Sequence, residues 1–439
     1  MALSTRARDG GQPRRATRRV TTLAGQSLEA LRDDWRHELL DSVMPFLDHR
    51  VIDREYGGFL CTLNGDGTHP DDTKDTSFQG RGLWVYSFLH SHFGRKPEHL
   101  AVARQTVELL LRAMPSGEEP WAAKLTREGR PLDAPATTIA PDVAIAEGLA
   151  EFSKASGERR YRTLAQRILL RCQRIYDRPD YAPGIVSVYN GPDPIPFPGA
   201  RSQGAAMILI GAVSPMLETE PDVQLEPILR GQIDAVMRRH YNPAFRLHTE
   251  LLNHDYSLPA NDLAQFVYTG HAIEALGILL IHAVRARDHN LFEAVAARFR
   301  RHTEVAWDEV YGGFFRSLNN VDENRWELNK ALWVQEEALA ALLLLIEHTG
   351  DAWADDLFAK ISSYVYATYY TDRWGSRFWI SGGDRTVTRT PNLTRVEHYH
   401  HPRRLMFGVL TLDRMLAKDG KVVPLPGVPD AASPDASSS

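Results

Sequence analysis

Polar side chains interrupt the starts of several apolar segments, and two of these segments carry histidine. "TGHAIEALGILL" places His271 and Glu274 three residues apart, so a helix would put both on one face. "VEHYHHPRRLMF" places His398, His400 and His401 just before a proline. Imidazole titrates near neutral pH, so two histidines facing one cavity can remove a proton from a carbon and return one to its other face. These segments therefore predict proton transfer next to a carbonyl group.

Further polar and aromatic residues at the starts of such segments could complete a site. Arg81 in "SFQGRGLW" could stabilise the oxyanion of an enediolate, and Glu274 could orient or polarise His271. Taken singly, each such side chain is more often a hydrogen-bonded core residue or a snorkelling cation. Their repetition at matching segment ends favours a site. The other polar interruptions are Gln79, Lys330, Gln335 and Glu337, and the aromatic residues that could stack on a sugar ring are Trp84, Trp333, Phe378 and Trp379.

A metal site is a weaker interpretation of the same residues. A helical His-x-x-Glu pair and the histidine cluster could bind zinc or a harder divalent ion. The chain has no HExxH motif, however, its cysteines Cys61 and Cys172 are isolated, and the backbone before Pro402 would fan the histidines apart. We therefore expect no metal. P-loop, GxGxxG and GxSxG motifs are absent too, so neither a nucleotide cofactor nor a serine nucleophile is indicated.

Composition excludes several classes of partner. The 439 residues are 43% hydrophobic and 24% charged, as in ordinary globular proteins. A net charge of -5 provides no basic field for nucleic acid, and the longest apolar run, 338–346, is too short to cross a membrane. Two cysteines favour a reducing compartment, and the arginine-rich start has no apolar stretch typical of a secretory signal. We expect a cytoplasmic protein without nucleic-acid or membrane partners.

Helical periodicity runs through most of the chain, with loops rich in Gly, Pro, Asn and Asp. Short turns alternate with long connections, so the helices form six hairpins, which indicates a repeat architecture. The segments "YGGFLCTLNGDG" at 56–67 and "YGGFFRSLNN" at 311–320 form an internal repeat, since both contain Tyr-Gly-Gly-Phe followed by Leu-Asn. The segment 372–384 is a third, weaker copy that also precedes a predicted helix. The predicted helices are 26–48, 78–93, 97–114, 140–156, 159–176, 203–218, 222–239, 262–284, 288–303, 329–349, 351–369 and 402–416.

Six helical hairpins with short β-hairpins at one rim predict an all-α fold, an (α/α)6 barrel of six inner and six outer helices. The inner helices are those that are apolar most of the way round. The pocket lies where their N-terminal ends meet the rim loops. We assign 26–417 to this single domain, and we expect the basic segment 1–25 and the segment 418–439 to be disordered tails.

The order of these motifs resembles that of the N-acylglucosamine 2-epimerases. "QGRGLWVYSFL" is similar to their Q-G-R-x-x-W segment, "TGHAIEALGILL" to G-H-x-I/L-E, "NKALWVQEEALAALLLL" to K-x-W-W-x-x-x-E-A, and "YHHPRRLM" to H-x-P-R. The same framework occurs in cellobiose 2-epimerases and in mannose and sulfoquinovose aldose-ketose isomerases. The resemblance implies an (α/α)6 barrel that opens a sugar ring and moves a proton at C2 through a cis-enediol(ate), without a metal or cofactor. A nucleotide activator and a homodimer are compatible with it, although no motif here indicates either.

The resemblance also assigns roles to residues, position by position. His271 and His400 match the acid–base pair and Glu274 the carboxylate of the first motif, while His401 is the competing assignment for His400. The substrate-binding residues that it implies are Arg81, Trp84, Glu250, Trp333, Glu337, Trp379, His401 and Arg403.

Two departures bear on the branch of the family. Leu332 replaces the first Trp of the W-W pair, which removes one stacking surface. Many isomerases and cellobiose epimerases carry another His early in the helix at 203–218, where Gln203 or Met207 stands here, and this favours the acylglucosamine branch.

The leading prediction is therefore a carbohydrate 2-epimerase. An aldose-ketose isomerase is the alternative, because it differs only in whether the proton returns to C2 or goes to C1. An (α/α)6 glycoside hydrolase would need two carboxylates, for which Glu274 and Glu337 are available. A non-catalytic carbohydrate-binding protein would keep the aromatic residues and have no need of the histidines.

Overall fold

Twelve helices make up most of the part of the chain that the structure, a computed structural model, describes. This part comprises residues 18–64, 68–185, 195–369, 380–384, 392–393, 396 and 398–425. Helix α1 has three consecutive segments, α-helical Leu28–His37, π-helical Glu38–Val43 and α-helical Met44–Arg50. The others are α2 Thr76–His92, α3 Pro97–Arg112, α4 Ala140–Ser156, α5 Arg159–Tyr176, α6 Gln203–Thr219, α7 Leu225–Asp234 with a π-helical extension Ala235–Arg239, α8 Thr269–Ala286, α9 His289–Ala306, α10 Leu332–Thr349, α11 Ala352–Tyr369 and α12 His400–Leu416.

The even-numbered helices form a closed inner ring. Helix α2 packs on α4, α4 on α6, α6 on α8, α8 on α10, α10 on α12, and α12 returns to α2. Each odd-numbered helix covers one inner helix, with α3 on α2, α5 on α4, α7 on α6, α9 on α8, α11 on α10 and α1 on α12. The predicted (α/α)6 barrel is confirmed.

Burial separates the two rings. Helix α5 buries a stripe with helical spacing, including Tyr161, Ala165, Ile168 and Cys172, as an outer helix covered on one side does. Helix α10 is buried around nearly its whole circumference, and the apolar run 338–346 lies inside it. That run is therefore core, and no helix in the described ranges is long and apolar enough to cross a bilayer.

Short strands surround the ends of the helices, and many pair distant segments rather than neighbours. The structure therefore differs from the predicted rim of local hairpins, because a strand that enters an inner helix pairs with another long connection. The antiparallel pairs are Thr22–Leu23 with Gln26–Ser27, Leu63–Asn64 with Asn392–Leu393, Lys74–Asp75 with Lys124–Leu125, Gly184–Ile185 with Ile195–Pro196, Arg201–Ser202 with Leu251–Leu252, Tyr241–Asn242 with Leu247–His248, Ser317–Asn320 with Arg325–Glu327, and Lys330–Ala331 with Ile380–Ser381.

The first Tyr-Gly-Gly-Phe segment is held by buried polar side chains. Lys74 Nζ donates to Asp53 Oδ2 at 2.9 Å and to the carbonyl of Gly57 at 2.6 Å. Gln79 pairs with the backbone of Phe59, accepting from its N–H at 2.7 Å and donating to its carbonyl at 3.0 Å. Gln79 is therefore a structural anchor of the loop that precedes α2.

The second Tyr-Gly-Gly-Phe segment repeats these contacts. Lys330 Nζ donates to Asp308 Oδ2 at 2.5 Å and to the carbonyl of Gly312 at 2.6 Å. Gln335 accepts from the N–H of Phe314 at 2.9 Å and donates to its carbonyl at 3.1 Å. The predicted internal repeat is thus present in three dimensions, and Lys330 and Gln335 are fully buried anchors of the loop before α10.

Some predicted boundaries differ from the structure. Residues Asp262–Gln265 form a separate 3-10 helix, and α8 starts only at Thr269, because Val267 between them forms an antiparallel bridge with Leu318. Helix α12 starts at His400, since Pro402 is its third residue, where a missing N–H is tolerated. Residues 18–25 and 418–425 belong to the fold, and the N–H of Val20 donates to the carbonyl of Gly420 at 2.8 Å. The predicted disorder of 1–17 and 426–439 lies outside the described residues.

Replacing Lys330 with methionine should lower the free energy of unfolding by about 3–5 kcal/mol, because it leaves the Asp308 carboxylate buried without a counter-charge. Arg174→Met is the control, since Arg174 pairs with Glu118 on the surface and its loss should cost less than about 1 kcal/mol. Denaturant unfolding measures both. Equal losses for the two variants would show that the Lys330–Asp308 pair is not an anchor.

Candidate active site

A cavity of about 370 Å³ opens at the N-terminal ends of the six inner helices. Every inner helix contributes, for example Arg81 from α2, Gly204 from α6 and His400 from α12. The N-terminal ends of helices carry partial positive charge and unpaired N–H groups, so six of them at one cavity favour an anion there. The cavity therefore suits a reaction that develops negative charge.

His271 is held by a carboxylate from a distant segment. Its Nδ1 lies 3.0 Å from Glu250 Oε1, which also accepts from the N–H of Gly204 at 3.2 Å. A carboxylate only accepts, so Nδ1 donates and Nε2 is the basic nitrogen of the neutral ring. A Cβ at position 204 would lie 2.8 Å from the His271 ring, so this position requires glycine. The ring of Tyr268 covers the imidazole at a centroid distance of 3.9 Å.

His400 is held in the same manner from another side of the barrel. Its Nδ1 lies 2.9 Å from Glu337 Oε1, and Arg403 Nη1 donates to the same oxygen at 2.5 Å. All three side chains are buried, and His400 lines the cavity. The carboxylate thus orients His400 while Arg403 neutralises the carboxylate.

Trp333 lies between the two histidines. Its ring centroid is 6.0 Å from that of His271 and 5.7 Å from that of His400. Trp333 lines the cavity, whereas Leu332 beside it is fully buried in the core. The position that would hold the first Trp of the W-W pair therefore does not face the cavity.

The carboxyl groups of Glu274 and Glu337 lie close to each other beside His400. Glu274, Glu337 and His400 each have one side-chain oxygen or nitrogen atom in this region, and these three atoms lie within 4.8 Å of one another. Burial, together with the neighbouring Glu337, raises the pKa of Glu274. Burial alone would also raise the pKa of Glu337, but Arg403 and His400 outweigh burial and lower that pKa. Glu337 is thus the ionised member, and Glu274, which lines the cavity, carries the proton more readily.

This arrangement corrects one expectation and argues against a metal. His271 donates to Glu250 rather than to Glu274, which lies instead close to Glu337 and His400. Glu274, Glu337 and His400 could in principle hold a metal ion. The guanidinium of Arg403, however, is bonded to Glu337, and a divalent ion there would lie against that cation. The residues do not fit a metal.

The other predicted site residues are distributed over several places. Arg81 lines the cavity, with its guanidinium 5.0 Å from the ring centroid of Tyr399. Trp84 does not reach it, because it stacks on Phe88 and lines a second cavity of about 460 Å³ towards the C-terminal ends of the inner helices. Arg403 also lines that second cavity while bonding Glu337. Trp379 lies outside the described residues.

His401 points away from the cavity. Its Nδ1 lies 2.9 Å from Glu336 Oε1 and its Nε2 3.1 Å from Glu38 Oε1. It is therefore neither placed to bind substrate nor placed as the second acid–base group, and the structure favours His400 for that role.

Several lining residues were not among the predicted ones. Tyr268 directly precedes α8 and lies three residues before His271, and Gly204 follows Gln203 in the first turn of α6. Nothing in the sequence at either position indicates a contact with His271. An apolar wall completes the cavity. Its members are Ile139, Met207, Ile208, Leu251 and Phe266.

Comparison with known proteins places this chain in the N-acylglucosamine 2-epimerase family. The family model described as N-acylglucosamine 2-epimerase (GlcNAc 2-epimerase) matches residues 57–401. The N-acylglucosamine 2-epimerase of Bos taurus is 28% identical over 378 residues, which cover 83% of this chain and 87% of that protein.

Two solved structures show the same fold. The cellobiose 2-epimerase from Bacillus thermoamylovorans B4167 has a TM-score of 0.74 at 16% identity and covers 87% of this chain and 99% of its own. A D-mannose isomerase has a TM-score of 0.72 at 16% identity, covering 87% of this chain and 97% of its own.

The pKa of Glu274 is raised and that of Glu337 is lowered, so replacing each of them with glutamine should change stability in opposite directions. Because the pKa of Glu274 is raised in the fold, its stabilising contribution is complete below its ordinary pKa of 4.5 and is lost as pH rises through the folded pKa. Glu274→Gln should therefore raise the melting temperature at pH 8 by about 1–3 °C, with no gain below pH 4.5.

Glu337→Gln is the matched comparison, and it should destabilise the fold by about 3–5 kcal/mol because Arg403 loses its buried partner. Thermal unfolding between pH 4 and 8 measures both variants. A Glu274→Gln variant as unstable at pH 8 as Glu337→Gln would mean that Glu274 is ionised in the fold.

Proposed function

Because the chain belongs to the N-acylglucosamine 2-epimerase family, we propose that it inverts C2 of a reducing 2-acylamino sugar. The observation that carries this proposal is the pair of histidine–carboxylate contacts at one cavity. His271, paired with Glu250, and His400, paired with Glu337, both line this cavity beside Trp333, with ring centroids 6.0 and 5.7 Å from that of the tryptophan. Two bases that reach one carbon from two faces are what inversion at that carbon requires.

The proton steps follow from this placement. Opening of the sugar ring creates an aldehyde at C1, which acidifies the proton on C2. One histidine removes that proton through Nε2, and the electron pair moves onto O1 to form an enolate whose C2 carries the acylamino group. The other histidine, as an imidazolium, then donates a proton to the opposite face of C2, and the carbonyl at C1 forms again. The two histidines exchange roles in the reverse direction.

The negative charge on O1 of this enolate develops in a favourable electrostatic environment. Arg81 lines the cavity as a cation, and the N-terminal ends of the inner helices add partial positive charge. Glu274 also lines the cavity, and as a protonated carboxyl it can donate a hydrogen bond to the anion. These groups stabilise the intermediate without a metal ion.

Glu250 acts through His271 in this mechanism rather than on the substrate. Its Oε1 accepts from Nδ1, so the carboxylate fixes the ring and stabilises the imidazolium that forms when Nε2 takes the proton. Glu337 does the same for His400. Both residues were expected to bind substrate, and we assign them a positioning role instead.

The apolar wall supports an N-acyl substituent. Met207 and Ile208 on α6 line the cavity together with Phe266, on the same side as Gly204. Gln203 is fully buried and donates to His248 at 2.9 Å, so it offers no acid–base group to the cavity. A small apolar acyl group is the part of a sugar derivative that such a wall would bury favourably.

An aldose-ketose isomerase is the second candidate, favoured by the similar fold of the D-mannose isomerase. The same residues would then deliver the proton to C1. A glycoside hydrolase is less well supported, because Glu337, one of the two carboxylates considered for it, is bonded to Arg403 and does not line the cavity.

Isotope exchange in D2O tests the two-base mechanism. The wild-type protein should introduce deuterium at C2 of both N-acetylglucosamine and N-acetylmannosamine with inversion, observed by NMR. His271→Asn and His400→Asn should each lower inversion by about 10²- to 10⁴-fold. Each variant should still exchange the C2 proton of one epimer for deuterium. The epimer that His271→Asn exchanges should be the one that His400→Asn does not. A ketose product would favour the isomerase, and no exchange with any sugar offered would end both proposals.

Replacement of Glu250 by glutamine separates positioning from substrate binding. A positioning role predicts a fall in kcat of about 10- to 100-fold with an almost unchanged KM, because Gln cannot stabilise the imidazolium by charge. Glu218→Gln, at an exposed carboxylate of α6, should change neither constant. A large rise in KM with normal kcat would instead return Glu250 to the substrate-binding role.

A further inference from the structure

A second triad lies directly behind the one that holds His400. His401 Nδ1 lies 2.9 Å from Glu336 Oε1, and Arg404 Nε donates to Glu336 Oε2 at 2.5 Å. All three side chains are buried, with Glu336 fully so. This outer triad (Glu336, His401, Arg404) repeats the residue types of the inner triad one position further along α12 and one position earlier along α10.

The two triads face opposite ways because consecutive residues on a helix are about 100° apart. Glu337, His400 and Arg403 lie on the inner side, where His400 reaches the cavity. The outer triad lies towards α1 and α11. The ends of α10 and α12 are thus joined by two layers of charged hydrogen bonds.

The outer triad is tied to both neighbouring outer helices. Glu38, the first residue of the π-helical segment of α1, has its Oε1 3.1 Å from His401 Nε2. Tyr366 on α11 donates to the other oxygen of Glu38 at 2.6 Å. The guanidinium of Arg404 lies 4.5 Å from the ring centroid of the buried Trp35 on α1. Four helices therefore meet at this triad.

The hydrogen bonds also define what His401 can do. Both of its ring nitrogens lie within hydrogen-bond distance of carboxylate oxygens, Nδ1 of Glu336 and Nε2 of Glu38. His401 does not line the cavity, so neither nitrogen reaches a substrate there. His401 is therefore not a base for the substrate.

The first turn of α12 depends on such side-chain contacts. Tyr399 precedes the helix and provides no side-chain cap for its free N–H groups. His400 and His401 are the first two residues of that helix, so the orientation of one determines that of the other. His271 is on α8 and makes its contact with Glu250, away from this turn.

We propose that His401 is a positioning residue, through which the outer triad and Glu38 hold the first turn of α12 so that His400 faces C2 of the substrate. The proposal rests on the two-base function proposed above. Loss of the outer contact should misplace His400 and leave His271 in position. One face of C2 should then lose its base while the other keeps it.

The test is deuterium exchange in both epimers by His401→Leu, which removes both ring nitrogens. This variant should lose inversion by about 10- to 100-fold and should reproduce the one-sided exchange of His400→Asn, not that of His271→Asn. Glu347→Gln is the matched control, because Glu347 also joins α10 to α12, accepting from Arg414 at 2.7 and 2.9 Å, but lies three turns further from the cavity. The control should lose stability and keep exchange in both epimers.

The results distinguish the proposals. Equal loss of exchange in the two epimers by His401→Leu, or wild-type exchange in both, would overturn the positioning role. Absence of exchange in the wild-type protein would overturn the proposed function instead. Should His401→Leu not fold, Glu38→Gln keeps the imidazole and weakens its anchor. That variant should show the same one-sided pattern with a smaller loss, and unchanged exchange in it would equally overturn the positioning role.

Discussion

The closed ring of six inner helices is the constraint on which the rest of the structure depends. Each inner helix is covered by its two neighbours in the ring and by an outer helix, so its middle turns bury nearly every side chain. A charged group inside such a ring is costly unless it is paired. The buried carboxylates Glu336 and Glu337 of α10 are accordingly paired with Arg404 and Arg403.

The pairs serve two different purposes with the same chemistry. Lys74 with Asp53 and Lys330 with Asp308 close loops and have no access to the cavity. The pairs of His271 with Glu250 and of His400 with Glu337 use the same kind of buried carboxylate, but both imidazoles line the cavity. The distinction lies in the other polar atoms of the paired side chain. Lysine uses its remaining N–H groups on backbone carbonyls, whereas an imidazole bound through Nδ1 has a second ring nitrogen, Nε2, of a type that can exchange a proton.

The surroundings of the histidines are not equivalent. Glu337 is compensated by Arg403, whereas Glu250 accepts from a backbone N–H and from His271. His400 is further supported from behind by contacts that reach α1 and α11. In the proposed mechanism the two bases have different supports, so substitutions distant from the cavity are expected to affect one face of the substrate carbon alone.

The sequence by itself determined the helical periodicity, the order of the hairpins and the barrel, because these depend on local spacing of apolar residues. It also placed His271, His400, Arg81 and Trp333 at helix starts, and all four line the cavity. Tertiary structure decided the partners. Periodicity gives the relative direction of residues on one helix but not its rotation towards the axis of the barrel. For that reason Glu250, 21 positions before His271, replaced Glu274 as its partner, Trp84 faced the opposite cavity, and His401 faced outwards while its neighbour faced in.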